Sequence, residues 1–239
     1  MITVDFWSDF ACPFCYIAER RLKNVVKKLG LEGKVRYKMH AFELDPSASK
    51  DYQGPTADLM ANKYGMTLDQ ANDRIAMINK MAHNEGITGF DDSRTQVVNS
   101  MDAHCLVKYA QAQRDDEKTD QLIERIFKAY FVDFENIADR EVLLSIANEF
   151  GYDEDKVRHI LETGQYKMLV QQDELELVSA GLSSVPFFVI VGKGVAGAQP
   201  HEVFEDLLKE AAQIEGVKTK APTEPQSGMS CDIHGCHLD

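Results

Sequence analysis

The sequence predicts a mixed α/β fold, with a βαβ unit and a ββα unit flanking a large all-helical insertion. Three observations predict it. Apolar residues alternate with period 2 at the N-terminus, only helical periodicity runs from about Pro55 to Ser179, and strand character returns at Phe187. The two flanks are expected to form one mixed sheet with helices on its faces, and the insertion to fold over one edge of it.

The first strand is Met1 to Trp7, where Ile2, Val4 and Phe6 alternate with Thr3, Asp5 and Trp7. A helix follows, because Phe14, Ile17, Ala18, Leu22, Val25 and Leu29 recur at helical spacing. Pro13 suits its first positions, Lys27 and Lys28 suit its last turn, and Gly30 stops it. Val35 to Met39 is the second strand. Strand, helix and strand this close together make a parallel unit with a right-handed crossover.

Within the insertion, Thr67-Leu68-Asp69-Gln70 matches a capping box. It opens a helix carrying Leu68, Ala71, Ile75, Ile78 and Ala82 on one face. Val98, Met101 and Cys105 mark another helix, ending near Gln113, and a third runs from about Thr119 to Val132. Val142, Leu143, Ile146, Ala147 and Phe150 mark a fourth, and shorter helices fall at 156–162 and 166–179. Met60, Met66, Met77, Met81 and Met101 read as core filler.

After Phe187 to Val191, Gly192-Lys193-Gly194 is expected to turn the chain so that Val195 to Ala198 pairs back. Pro200 opens a last helix with Val203, Phe204, Leu207, Leu208, Ala211 and Ile214 on its apolar face. From Gly216 the composition shifts to Lys, Thr, Pro, Ser and Gly, a linker that cannot bury a core. The expected organisation is one discontinuous domain of residues 1–50 and 180–216, a helical insertion domain of 51–179, and a flexible tail of 217–239.

Chemistry is concentrated where the first strand becomes a helix. Cys12 and Cys15 sit at that junction, and unpaired N–H groups with the positive end of the helix dipole favour a thiolate at Cys12. Cys15 lies about one turn on, on the same face, close enough to form a disulfide with Cys12. Half a zinc site and two inert core cysteines are the rival readings of such a pair. Pro186, in Ser184-Val185-Pro186-Phe187, opens a strand that must be central, where a residue without an N–H is tolerated only at a start or a bulge.

The chain has 239 residues, a net charge of −13 and 44% hydrophobic residues. That is ample for a core, and the charge argues against nucleic acid or an anionic membrane as a partner. No apolar run approaches a membrane span, and the N-terminus lacks the basic and apolar regions of a signal peptide, so a cytoplasmic location is expected. Five cysteines, arranged as Cys12/Cys15, Cys105 and Cys231/Cys236, do not make a disulfide framework there. Paired cysteines in a reducing compartment point to redox chemistry or metal. Cys105, on an apolar helix face, reads as a small buried hydrophobe. His83, His104, His159 and His201 have no ligand-like spacing, and nothing marks His40 as catalytic.

Taken together, Asp5-Phe6-Trp7-Ser8-Asp9-Phe10-Ala11-Cys12-Pro13-Phe14-Cys15-Tyr16, Phe42-Glu43-Leu44-Asp45-Pro46, Gly181 to Val189 and Val195 to Pro200 give a resemblance. The chain resembles the thioredoxin superfamily, and more closely the DsbA-like branch that includes the FrnE proteins and the 2-hydroxychromene-2-carboxylate isomerases. The resemblance covers roughly residues 1–215 and implies a thioredoxin fold with a helical insertion. It implies a nucleophilic Cys12, a resolving Cys15 and a cis Val185–Pro186 bond whose backbone pairs with a substrate chain. It also implies no cofactor, and as partners protein thiol or disulfide substrates with a recycling reductant or oxidant.

The isomerases and the kappa-class glutathione transferases typically carry Ser where Cys12 stands, so keeping both sulfurs favours disulfide exchange. The DsbA-type Pro-His dipeptide is here Pro13-Phe14, which implies a less oxidising couple. Superfamily members often place an acid beneath the second cysteine. Asp5 is a candidate for that proton acceptor, the rival reading being an exposed carboxylate at the sheet edge. Cys231 and Cys236, on the tail, read as an auxiliary redox pair exchanging with Cys12–Cys15. The alternatives are a metal site made by Cys231, His234, Cys236 and His237, and a disordered tail whose cysteines are incidental. Two other functions stand beside disulfide exchange: a glutathione-dependent transferase or isomerase, and a metal-binding or interaction module centred on the tail.

Overall fold

The computed structural model describes residues 1–51 and 54–220, together with the backbone of 230–232 and 235–237. Four strands form the sheet: β1 (Ile2–Ser8), β2 (Val35–Ala41), β3 (Phe187–Ile190) and β4 (Lys193–Ala196), in the order β2-β1-β3-β4. β1 is parallel to β2 and antiparallel to β3, which is antiparallel to β4. A parallel pair needs a crossover, and α1 (Pro13–Lys28) supplies it.

β1 is central, with its even-numbered face buried and its odd-numbered face covered towards Trp7. Ile2, Val4 and Phe6 enter the main core with Leu22 and Val25 of α1 and with Phe204 and Leu208 of α9 (His201–Ile214). Trp7 enters a smaller cluster on the other face with Phe42 and Leu177. That period-2 division decides which β1 side chains can reach the cysteines.

Between β2 and β3 the insertion is helical, as expected: α2 (Thr56–Tyr64), α3 (Leu68–Asn84), a 3-10 turn (Asp92–Arg94), α4 (Met101–Ala112), α5 (Asp116–Phe131), α6 (Arg140–Glu149), α7 (Glu154–Thr163) and α8 (Lys167–Ser179). The capping box at Thr67 is present, its hydroxyl accepting from Gln70 N and the Gln70 side chain accepting from Thr67 N. α5 starts three residues earlier than its apolar periodicity suggests because the Asp115 carboxylate accepts from Lys118 N at 3.0 Å. Asp153 does the same for α7 through Lys156 N.

Several apolar assignments need correction. Leu68 and Ile214 are exposed, since they are the first and last residues of their helices and overhang the packing surface. Met77 of α3 is exposed too and is not core filler. Val98 is buried but precedes α4, outside any helix or strand. The final hairpin also turns earlier than expected. Ile190 pairs with Lys193, so the turn is Val191-Gly192, with φ of 47° and 73°. Both central residues of this two-residue turn need positive φ, which Gly192 adopts freely and Val191 is made to adopt.

At the C-terminal end of α1, Lys220 N donates to Leu29 O at 2.8 Å, so the chain leaves the core far from Cys12. Beyond it, β5 (Ser230–Asp232) and β6 (Gly235–His237) pair antiparallel, with Cys231 opposite Cys236. The expected linker lies mostly outside the described residues. No helix among the described residues is long and apolar enough to cross a membrane.

Candidate active site

Ser8 ends β1 and Pro13 begins α1, which leaves four residues to reverse the chain. Cys12 N donates to Asp9 O at 3.1 Å, closing the turn, and Cys15 N donates to Cys12 O at 3.1 Å, starting the helix. Cys12 occupies the N-cap position in extended conformation, with no side-chain cap bond, so its sulfur is not spent on the helix. The Val185–Pro186 bond is cis, and the Cys12 thiol donates to the Val185 carbonyl over 3.9 Å.

The two sulfurs are unequal. Cys15 is fully buried, and its Sγ accepts the Asp9 amide at 3.5 Å. Burial pushes the Cys15 thiol well above its ordinary value, and the hydrogen bond and charge of Cys12 push it further; the Ser8 hydroxyl and the Asp9 amide pull the other way. Cys15 therefore stays a thiol until something stabilises its charge.

Cys12, Cys15, Val185 and Pro186 are thus brought together, as the sequence suggested. Asp5 is not. Its position on β1 puts it on the Trp7 face, opposite the side that carries Ser8. Its carboxylate lies 2.9 Å from His40 Nε2 and 3.3 Å from Lys38 Nζ, half-buried and away from the sulfurs. The groups at Cys15 are Ser8 and Asp9. Cys105 is buried in α4, and its thiol is pushed up to about 12 by burial and by the Asp102 charge. For the tail, the backbones of Cys231 and Cys236 stand opposite one another, while their side chains, His234 and the side chain of His237 lie outside the described residues.

His40 is the penultimate residue of β2. It stacks on Trp7 with ring centroids 4.3 Å apart and lies between Asp5 and Asp173 of α8. Ligand atoms of His40, Asp173 and Glu176 fall within 4.8 Å of one another. Asp173, however, is already engaged by Lys108 and by the Ala41 amide at 2.6 Å. This cluster fastens α8 to the sheet.

The residue that sequence reasoning missed is Asp9. It is buried, its Oδ1 accepts from Ala11 N at 3.1 Å and its Oδ2 from Leu44 N at 2.7 Å. His104 of α4, equally buried, brings Nε2 to 3.6 Å from Asp9 Oδ1. Burial works to raise the Asp9 carboxyl, but the attraction of His104 and the two amides outweighs it and holds the group below its ordinary value. A polar residue between a strand and a helix start was the available signal for Asp9. His104, set among Ala103, Cys105, Leu106 and Val107, gave none that pointed to a partner.

A cavity of about 720 Å³ opens beside Cys12, Pro13 and Phe14. Asp9, Asp92 and Tyr130 also line it, with Lys63 and Arg74 from the insertion. Asp92 is buried, and burial, then the neighbouring Asp91 charge, raises its carboxyl to about 6.

A sheet of this topology, with Cys-x-x-Cys at the start of the crossover helix and a cis-proline beside it, defines the thioredoxin-fold class. Within that class the chain belongs to the DSBA-like thioredoxin domain family, whose model matches residues 3–209. It is 26% identical over 222 residues to the uncharacterized protein YwbO of Bacillus subtilis (strain 168), covering 87% of this chain and 96% of that protein. The structure is similar to that of a probable DsbA oxidoreductase, SCO1869, from Streptomyces coelicolor, with a TM-score of 0.81, 29% identity and all of both chains covered. The fold is also that of a 2-hydroxychromene-2-carboxylate isomerase, with a TM-score of 0.69, 15% identity and 90% and 98% of the two chains covered. The family is one of thiol–disulfide oxidoreductases.

Proposed function

We propose that the protein is a thiol–disulfide oxidoreductase or isomerase that acts on protein disulfides through Cys12 and Cys15. One observation carries this: the Cys12 thiol stands at a helix start against the Val185 carbonyl, beside the cis bond, with the buried Cys15 behind it. In the reductive direction the Cys12 thiolate attacks one sulfur of a substrate disulfide. That S–S bond breaks, the second substrate sulfur leaves as a thiolate, and a mixed disulfide forms. Cys15 then gives up its proton and attacks the Cys12 sulfur, releasing the substrate with two electrons gained and leaving a Cys12–Cys15 disulfide. A reductant must restore the dithiol, and an oxidant drives the same steps in reverse. The Val185–Pro186 backbone holds the substrate chain by strand-like pairing.

We place this chemistry in the cytoplasm, on the cysteine usage, with residues 1–50 and 180–216 as the redox domain and 51–179 as the insertion domain. Cys231 and Cys236 act as the auxiliary pair; opposite positions on paired strands suit a disulfide. The rival metal set of Cys231, His234, Cys236 and His237 is decided by metal analysis of the whole chain. The cavity on Cys12 favours one second reading, a low-molecular-weight thiol such as glutathione as co-substrate. Insulin reduction, measured with the reduction potential of the Cys12–Cys15 couple, tests the main reading. Turnover that disappears with Cys12 is expected, whereas glutathione binding without disulfide turnover would replace it by the second.

A further inference from the structure

Asp9 touches both cysteines through its backbone and the helical insertion through its side chain. Its carbonyl oxygen accepts from Cys12 N, and its amide donates to Cys15 Sγ. Its carboxylate holds the Ala11 and Leu44 amides and faces His104. Neither ring nitrogen of His104 has a hydrogen-bond partner among the described residues, although the side chain is almost wholly buried. Phe10 packs on the ring at 5.0 Å, and the acidic groups around it are Asp9 after β1, Glu43 after β2 and Glu174 of α8. The imidazole is therefore buried among three carboxylates from three elements, with Asp9 Oδ1, 3.6 Å from its Nε2, as its acidic partner on the cysteine side.

We propose that Asp9 and His104 form a positioning pair that aims the Asp9 amide at Cys15 and so supports the thiolate of Cys15 in the resolving step. When Cys15 gives up its proton, which the departing substrate thiolate takes up, and attacks the Cys12 sulfur of a mixed disulfide, negative charge gathers on a fully buried atom. Among the described residues the one backbone donor to that atom is the Asp9 amide. Three contacts keep the amide aimed: Ala11 N and Leu44 N on the carboxylate, and His104 beside it. The insertion thereby contributes a residue to the redox centre without touching substrate. Cys12, which faces the Val185 carbonyl, does not depend on the Asp9 amide for its attack.

The proposal rests on the disulfide-exchange reading, and the test separates the two. The mixed disulfide between Cys12 and a model peptide thiol is prepared, and its resolution by Cys15 is timed by rapid quench. Alkylation of reduced Cys12 is timed in parallel. Asp9→Asn and His104→Gln should slow resolution roughly tenfold, as expected for a misaimed donor to a developing thiolate, and His104→Gln, remote from Cys12, should change Cys12 alkylation by less than about twofold. Glu in place of Asp9 should recover part of the lost rate. Should Asp9→Asn fail to fold, His104→Gln carries the test alone, because it leaves both amide bonds of Asp9 in place. Resolution at the wild-type rate in folded variants, or equal slowing of both steps, would overturn the positioning role. A wild-type protein that cannot resolve the mixed disulfide at all would instead sink the exchange reading beneath it.

Discussion

The two faces of β1 differ by parity alone, and each gathers a polar cluster. On the even-numbered side, Ser8 stands against Cys15, and the turn that follows brings Asp9 to the Cys15 sulfur and the Cys12 amide. On the odd-numbered side, Asp5 and Trp7 meet His40, Asp173 and Lys108, a denser set of charges with a stacked imidazole. Viewed as side chains, the second cluster looks more like a catalytic centre than the first. Its groups satisfy one another: Asp173 holds the Ala41 amide and Lys108 and is held below its ordinary value, burial being outweighed by His40 and Lys108. The sulfur side has what chemistry needs instead, a thiol at a helix start, a cavity and an unspent buried thiol. A closed polar network fastens elements, whereas a reactive site keeps a group in reserve.

Removing Cys12 separates the faces most sharply. Cys12→Ser should lower insulin reduction to below about one-thousandth of wild type, as loss of the nucleophile implies, and Cys15→Ser should accumulate mixed disulfide on Cys12. On the other face the effect should fall on stability. Trp7→Ala should cost about 3–5 kcal/mol in urea unfolding while exchange per folded molecule is retained. Lost exchange in a folded Trp7→Ala protein would mean the two faces are not independent.

Asp92, which lines the cavity on the sulfur side, gives a pH signature. Its folded value of about 6 lies above the ordinary value of 3.8, so its charge costs stability above about pH 6 and costs nothing below 3.8. Asp92→Asn should therefore stabilise the protein at pH 8 by on the order of 2 kcal/mol and leave it unchanged near pH 3.5. Equal gains at both pH values would point to packing instead of charge. The smallest effect belongs to Asp5→Asn, which should change the exchange rate by less than about twofold, since its carboxylate does not reach Cys15.

Much of this was legible in local pattern. The strand-turn-helix around Cys12 and Cys15, the helical insertion and the capping box at Thr67 follow from periodicity and capping chemistry that act within a few residues. The proline at the start of β3 could be placed by its missing donor, though its cis state came from resemblance. The face occupied by Asp5 was also legible in principle, because alternation along β1 puts it opposite Phe6 and Ser8. What could not be read was pairing at a distance. Asp9 meets Leu44 and His104 from 35 and 95 positions away, and Glu19, a buried carboxylate on α1, pairs with Lys23 nearby but also faces the Asp120 and Glu124 charges of α5. Exposure at Leu68, Met77 and Ile214 escaped for the same reason, since helical spacing names a stripe without saying where the partner ends.

The central claim is that exchange begins at Cys12 and is completed by Cys15. The most direct measurement is peptide mapping of the full-length Cys15→Ser protein after reaction with a disulfide-containing protein substrate. A mixed disulfide on Cys12 alone, with Cys105 unmodified in its buried helix, is the predicted result. Substrate attached at Cys105, Cys231 or Cys236 while Cys12 stays free would contradict it.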